Sequence, residues 1–244
     1  MRSAKHILEI VKKDQLFYRF KSEIGSIDLK NNNKIVVSIS GGIDSVGLLF
    51  LLKALDRYRL ILAHVNHGLR ASSIMDEKFI KKLSKEIHSP LYIKKLDPSS
   101  IKKNESIEQW GRENRYKFLE KISIDTSSKV IMTGHHGNDQ IETLLMNIQR
   151  GSGVLGMRGI AKRNKKLVRP LLKFSKEEII LFSERVGYGY CKDETKHLSN
   201  LKIFKFSSYS YFVLVPFGIS IIQLTCSKSS VVVGISSTRF IYLL

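Results

Sequence analysis

Cysteine is scarce in this sequence. Cys191 and Cys226 are the only two, and they form neither a CxxC pair nor a cluster with metal-ligand spacing. That argues against a structural zinc or iron–sulfur site. It also fits the reducing conditions of the cytoplasm, where the chain is expected to work. A targeting segment is missing too. The start, MRSAKHILEIVKKDQ, has no long apolar run and no small-residue cleavage site, so it does not read as a signal peptide. The apolar stretch YFVLVPFGISIIQLT is interrupted by Pro216 and Gly218. It is short against the roughly 20 residues of a membrane-spanning helix, so no membrane partner is expected. Internal repeats and low-complexity tracts are absent. Acid is missing from one end: all 22 Asp and Glu precede residue 200. The rest of the chain carries only Lys202, Lys205, Lys228 and Arg239 as charged groups.

Base is abundant instead. Lys and Arg number 41, giving a net charge of +19 over 244 residues. A field of that sign attracts polyanions, nucleic acid first and an anionic membrane surface second. A genome rich in A and T would also favour lysine codons, so charge alone does not prove RNA binding. The length allows one or two domains with a substantial core.

The order of elements reads as α/β. Residues 1–33 predict one or two polar helices. KIVVSIS, over 34–40, is a β-branched run that reads as a buried strand, and VGLLFLLKAL after it suits a buried helix. The alternation continues with strands in LILAHVNH, PLYIKKL and KVIMTGHH. Helices fall over 75–88, over 106–122, in NDQIETLLMNIQR and over 175–187, the last with Gly187 as its C-cap. The expected fold is a doubly wound, mainly parallel sheet with helices on both faces.

Ser40-Gly41-Gly42-Ile43-Asp44-Ser45 sits between the first strand and its helix. Two glycines allow a sharp turn and a close backbone approach to a ligand. The amides that follow open a helix, where free N–H groups and the dipole favour phosphate. No GK[ST] follows, so this is not a Walker A loop and the phosphate charge must be met elsewhere. Asp44 would repel phosphate unless a cation bridges them, which points to Mg²⁺. The plainer alternative is a generic glycine turn with an aspartate cap.

The loop SGGIDS resembles the SGGxDS pyrophosphate-binding loop of the N-type ATP pyrophosphatases. HVNHGLR at 64–70, GHHGNDQIET at 134–143 and RGSGVLGMRGI at 150–160, followed by Arg169-Pro170-Leu171-Leu172, narrow the resemblance to the tRNA(Ile)-lysidine synthases. It covers about residues 15–195, and the motifs occur in that family's order. The resemblance implies a Rossmann-like fold of the adenine nucleotide alpha hydrolase type. It also implies a ligase that uses ATP and Mg²⁺. Such a ligase adenylates C2 of the wobble cytidine in tRNA(Ile) with a CAU anticodon. Free L-lysine then displaces AMP and gives lysidine.

On that basis Ser40, Gly41, Gly42, Ile43, Asp44 and Ser45 are expected to bind the nucleotide. Asp44 and Asp139 are candidate Mg²⁺ or amine contacts. His135 or His136 would touch the nucleotide or move a proton near neutral pH. Arg112, Arg115 and Arg150 would neutralise phosphate or hold tRNA. Each has a plainer alternative. Arg112 and Arg115 also suit a solvated helix face, one of the two adjacent histidines suits a structural role, and Glu142 suits a helix surface. His64 and His67 also suit shaping of the second-strand loop, and Trp110 suits the core better than a base-stacking platform. A tRNA thiolase of the same superfamily is disfavoured by the lack of paired cysteines. An inactive fragment that binds RNA or ATP is the other alternative.

Two domains are expected: an ATP-pyrophosphatase unit over 1–195 and an atypical tail over 196–244. After Asp193-Glu194-Thr195 the chain lacks the Asn/Arg-rich helix of the family. Its Ser-rich apolar runs lack turn chemistry for a sensible sheet. The expectation is a tail out of frame with an ancestral synthase gene and poorly packed, a matter for the nucleotide sequence around codon 196.

Overall fold

A computed structural model describes residues 3–69, 73–149 and 159–191. It also describes the backbone of four strands within 202–236. Contacts divide the chain into two units, Met1–Lys192 and Asp193–Leu244.

The first unit is built on a six-stranded sheet in the order β3-β2-β1-β4-β6-β5. Its strands are β1 (Lys34–Ser38), β2 (Arg59–Asn66), β3 (Leu91–Lys95), β4 (Val130–Met132), β5 (Arg163–Asn164) and β6 (Leu167–Val168). All neighbours run parallel except the β5–β6 hairpin at one edge. The helices are α1 (Ala4–Lys13), α2 (Gln15–Gly25), α3 (Ile43–Ala54), α4 (Ser73–Glu86), α5 (Ile107–Asp125), α6 (Gly137–Gln149) and α7 (Lys176–Val186). A doubly wound α/β sheet was expected, and this is one.

Period-two alternation divides the strand side chains between two cores. Ile35 and Val37, Leu60 and Leu62, Val130 and Met132 join one core with α1, α2, α3, α4 and α7. Val36, Ile61, Ala63 and Ile131 join the other with Leu119 and Ile122 of α5. The asymmetry follows from connection handedness. Passing from β1 to β2 to β3, right-handed crossovers put α3 and α4 on one face. Returning from β3 past β1 to β4 puts α5 on the opposite face. α3 is apolar all round and nearly every residue of it is buried, as befits a helix enclosed by its neighbours.

Local chemistry sets the helix ends. Asp14 ends α1 and caps α2 by accepting from Leu16 N–H at 2.8 Å. Arg185 of α7 grips the same carboxylate, with Nε at 2.6 Å and Nη2 at 3.0 Å. α7 opens on a capping box between Ser175 and Glu178 and closes on Gly187 at φ 74°, the C-cap expected from sequence. The β5–β6 hairpin was not anticipated. Two residues per strand carry no periodicity, and its turn at Lys165-Lys166 holds no glycine or proline, although Lys165 takes φ 52°.

Within the second unit, β7 (Lys202–Ser207), β8 (Ser210–Val215), β9 (Gly218–Ser227) and β10 (Ser230–Ser236) form an antiparallel meander. The expectation that this segment lacks a sensible sheet is therefore corrected. Val, Ile, Phe and Tyr favour strands without turn residues to announce them. Two residues separate each strand from the next, the spacing of the shortest hairpins.

One contact behind the SGGIDS loop is unusually tight. A Cβ added at Gly47 of α3 would lie 2.6 Å from the Tyr188 hydroxyl. That hydroxyl donates to the Ile43 carbonyl at 3.0 Å. Gly47→Ala is expected to cost about 1–3 kcal/mol in denaturant unfolding. Combining it with Tyr188→Phe, which removes the clashing oxygen, should cost clearly less than the sum of the two single changes. Additive costs would show that the clash is relieved some other way.

Candidate active site

The reversal of strand order places β1 and β4 side by side, and both of their carboxyl ends carry sequence motifs. Open α/β sheets bind ligands at such a point. SGGIDS leaves β1 and GHHGND leaves β4. The two are in close contact: a Cβ on Gly134 would fall 3.1 Å from the Asp44 carbonyl carbon and 3.1 Å from the Ser45 nitrogen. Glycine is needed there for packing alone.

The loop is held by its own hydroxyls. Ser45 Oγ donates to the Gly42 carbonyl at 2.9 Å and accepts from Ser40 N–H at 3.2 Å. Ser40 Oγ lies 3.0 Å from it and accepts from Gly42 N–H at 3.3 Å. Gly41 takes φ 88°, where a side chain is strained, and its added Cβ would lie 3.2 Å from Cys191 Sγ. Gly42 is different. Its φ of –71° is open to any residue, and an added Cβ would meet only Ser40 Oγ, at 3.5 Å. Of the two glycines read as making the turn, one makes it; the other takes an ordinary φ and stands at the N-cap of α3.

Asp44, the second residue of α3, lies in an ion cluster. Lys176 Nζ sits 2.6 Å and 2.7 Å from its two carboxylate oxygens. His136 Nε2 lies 3.7 Å from Oδ1. Asp139, in the first turn of α6, accepts from His136 N–H at 2.8 Å and so fixes the turn after β4. Asp44, Asp139, Ser40, Ser45, His135 and Arg115 line a common cleft of about 150 Å³.

His135 lies against Thr133, with Nδ1 2.8 Å from Oγ1. Burial pushes its pKa down to about 4, and the guanidinium groups of Arg169, Arg115 and Arg112 push in the same direction against Asp139. The ring is therefore neutral at pH 7. The expectation of a histidine that changes charge near neutrality is corrected for His135 in the ligand-free protein, because a desolvated imidazole among cations resists protonation. Arg112 and Arg115 both lie over the Tyr116 ring, at 5.1 Å and 5.7 Å. Arg115 borders the nucleotide cleft and also a second cleft of about 460 Å³ lined by Arg112, His67 and Leu69. Arg112 reaches the second cleft only. Both arginines thus border clefts rather than open solvent alone. Arg150 lies outside the described residues, as does most of RGSGVLGMRGI. The end of that motif is clasped by Gln140 of α6, which bonds both backbone groups of Ile160 at 2.5 Å and 2.7 Å.

His64 is buried, with Nδ1 2.9 Å from the Ile39 carbonyl, and burial lowers its pKa. It ties β2 to the chain entering the loop and does not border the cleft. Trp110 is buried, and Glu142 is exposed on α6.

Sequence reasoning gave no role to three contributors, although it quoted Arg169 within the segment at 169–172. Lys176 is separated from Asp44 by 132 residues, and its helix was legible while its partner was not. Arg169 follows β6; it is buried, donates from Nη1 to the Ala161 carbonyl at 2.6 Å, and leaves Nε without a partner. Cys191 braces the back of the loop by donating its N–H to the Gly41 carbonyl at 2.9 Å.

Among the described residues no group of three or more His, Cys, Asp or Glu could hold a metal ion by itself. Mg²⁺ seldom needs such a cage; one or two carboxylates, water and substrate phosphates are its usual donors. Asp44 and Asp139 on one cleft fit that role.

The model of the PP-loop domain family matches residues 9–202. The chain belongs to that family. It is therefore a PP-loop ATP-binding domain, and it is related to the tRNA(Ile)-lysidine synthases. The synthase of Bacteroides thetaiotaomicron is 38% identical over 167 residues, which are 67% of this chain and 39% of that protein. The synthase of Staphylococcus aureus is 40% identical over 172 residues, 67% of this chain and 40% of that protein. This PP-loop chain thus spans about two-fifths of the length of the curated relatives it matches. Among solved structures, the U34-tRNA thiolase NcsA of Methanococcus maripaludis superimposes with a TM-score of 0.64 at 22% identity. The match covers 82% of this chain and 73% of that one, and the likeness is one of fold alone. Among the described residues no helix is long and apolar enough to cross a membrane.

Two outcomes follow from the loop and its neighbour. Gly41→Ala should lower stability by about 1–3 kcal/mol through backbone strain. Gly42→Ala should change it by less than about 0.5 kcal/mol, yet weaken nucleotide binding; equal stability losses by denaturation would remove the distinction. His135 governs a pH window. The unfolded ring takes its proton near 6.5 and the folded ring near 4, so between these values the unfolded chain binds more protons. His135 therefore supports the fold above 6.5, and that support is lost as pH falls toward 4. His135→Gln should flatten the stability profile across this window; a profile parallel to wild type would contradict the assignment.

Proposed function

We propose that this chain is the adenylating unit of a tRNA(Ile)-lysidine synthase. The observation that carries the reading is the meeting of SGGIDS and GHHGND at the strand-order reversal, with Arg115 lining the same cleft. The relatedness to lysidine synthases supplies the substrate class: a tRNA(Ile) with a CAU anticodon, ATP and free L-lysine.

The geometry supports the following roles. The backbone N–H groups at the start of α3, with the Ser40 and Ser45 hydroxyls, receive the pyrophosphate end of ATP. Asp44 and Asp139 would hold Mg²⁺, which when bound neutralises phosphate charge and favours pyrophosphate as a leaving group. Neutral His135 offers a hydrogen bond to the nucleotide and excludes water; a bound polyphosphate would raise its proton affinity. Arg115, between the two clefts, is placed to meet charge developing at the α-phosphate, and Arg112 to hold RNA in the neighbouring cleft. In the first step the C2 oxygen of the cytidine attacks the α-phosphorus and pyrophosphate departs. In the second, the lysine amine attacks C2 and AMP departs with that oxygen. The net charge of +19 favours the RNA encounter and makes it salt-dependent.

The chain is tested with a tRNA(Ile) bearing CAU, ATP, Mg²⁺ and lysine, by pyrophosphate release and by mass spectrometry of the wobble nucleoside. Release that requires both tRNA and lysine, with lysine added to the base, is expected. Asp44→Asn should lower the rate by roughly 10²–10³, the scale of one lost preorganised charge contact. Unchanged turnover in that variant, or sulfur in place of lysine at the wobble cytidine, would overturn the reading.

A further inference from the structure

Lys176 opens α7 on a well-anchored backbone. Its N–H donates to Asn138 Oδ1 at 2.9 Å, and the Ser175–Glu178 box closes the helix start around it. From there Nζ reaches both oxygens of Asp44, at 2.6 Å and 2.7 Å, with the two side chains 21% and 23% exposed. Both lone-pair faces of the carboxylate are thus met by one ammonium. Only Asp44 of this pair borders the nucleotide cleft. A cation entering that cleft finds its carboxylate already neutralised from behind. The contact is not needed merely to join α3 to α7, because Ile179 and Phe182 already pack into the shared core.

We propose that Lys176 is a positioning residue that couples metal binding to phosphate binding. It serves as a placeholder cation on Asp44 while the cleft is empty, and it yields when a polyphosphate offers its ammonium a second anion. The proposal rests on the reading of the cleft as a Mg²⁺-nucleotide site. Charge accounting gives the direction. A divalent ion alone at Asp44 would crowd the Lys176 ammonium with no anion left to balance it. A polyphosphate alone would face Asp44 with Lys176 still committed to that carboxylate. With both bound, metal pairs with Asp44 and ammonium with phosphate, so every charge has a partner. Each ligand therefore strengthens the other, and the strengthening is reciprocal. This is how a loop without the Walker lysine can still use one, supplied from a helix far along the chain.

Calorimetric titration of the full chain with Mg²⁺, with and without pyrophosphate, tests this in wild type, Lys176→Gln and Lys176→Arg. In wild type, pyrophosphate should tighten Mg²⁺ binding by about tenfold or more. In Lys176→Gln, Mg²⁺ alone should bind more tightly than in wild type, and the gain from pyrophosphate should shrink severalfold. Lys176→Arg should stay near wild type. Equal Mg²⁺ affinity and equal gain in Lys176→Gln would overturn the proposal and leave Lys176 a structural tie. Wild-type protein that binds neither probe would overturn the reading of the cleft itself, a distinct outcome. A readout free of mutation covers a variant that fails to fold: amine acylation of Lys176 in wild type, followed by peptide mass spectrometry. Labelling should rise severalfold with Mg²⁺ alone and fall again when pyrophosphate is added; labelling indifferent to both ligands would also overturn the proposal.

Discussion

Parallel pairing of β1 with β4 brings two loops, nearly a hundred residues apart in sequence, to one sheet edge. In register, Val37 lies opposite Met132, so the chain leaves both strands at the same level. The loops then approach until a Cβ on Gly134 would lie 3.1 Å from the backbone of Asp44 and Ser45, tighter than most side chains tolerate. The rest of the site depends on this approach. α3 and α6 start beside each other, and their first-turn acids, Asp44 and Asp139, open on one cleft. α7 is tied in by Asn138, beside Asp139 in the first turn of α6, and delivers Lys176. β6, only two residues long, is needed because it continues the sheet past β4 and carries Arg169 to the same end.

The electrostatics follow from that crowding. Burial is the main cause that keeps His135 uncharged, and the guanidinium groups of Arg169, Arg115 and Arg112 add to it. A site that keeps a histidine uncharged and surrounds it with fixed cations is arranged for an anion that arrives fully charged. The fixed acids do not undo this. Asp44 is paired with the Lys176 ammonium, and the Asp139 carboxylate is held in place by the His136 backbone N–H, which leaves it free to face a cation. The same cations near a buried imidazole would destabilise the protein without a ligand if the ring were protonated, and the low proton affinity of His135 is the way this conflict is resolved.

Much of this was legible in the sequence where a pattern repeats or a short motif stands between two patterned segments. The strands β1 to β4 and their helices announced themselves by apolar period and length. SGGIDS and GHHGND could be placed at strand ends because the flanking segments were recognisable. Gly187 was readable as a cap since it follows about three turns of helical spacing from Ser175. What escaped was pairing across distance. Nothing local marks Lys176 as the partner of Asp44, Arg185 as the partner of Asp14, or Tyr188 as the lid on Gly47. The β5–β6 hairpin escaped for a different reason, having too few residues to show any period. In the tail, strand-forming residues without turn residues were read as an argument against a sheet, although side-chain propensity and a two-residue spacing suffice for a meander.

The contrast between Gly41 and Gly42 shows how structure changes the meaning of a motif. In the sequence the two are equivalent members of SGG. In the fold Gly41 answers to the backbone: its positive φ turns the chain from β1 into α3, and Cys191 closes the space behind it. Gly42 answers to nothing in the protein that a methyl group would offend, since its φ is ordinary and its surroundings are open. A glycine that the fold does not require, at the mouth of a helix whose N–H groups point outward, is explained by what must come close to it. On the proposed nucleotide-binding reading, the bare backbone at Gly42 would be the part of the loop shaped by the ligand, while Gly41 is the part shaped by the chain.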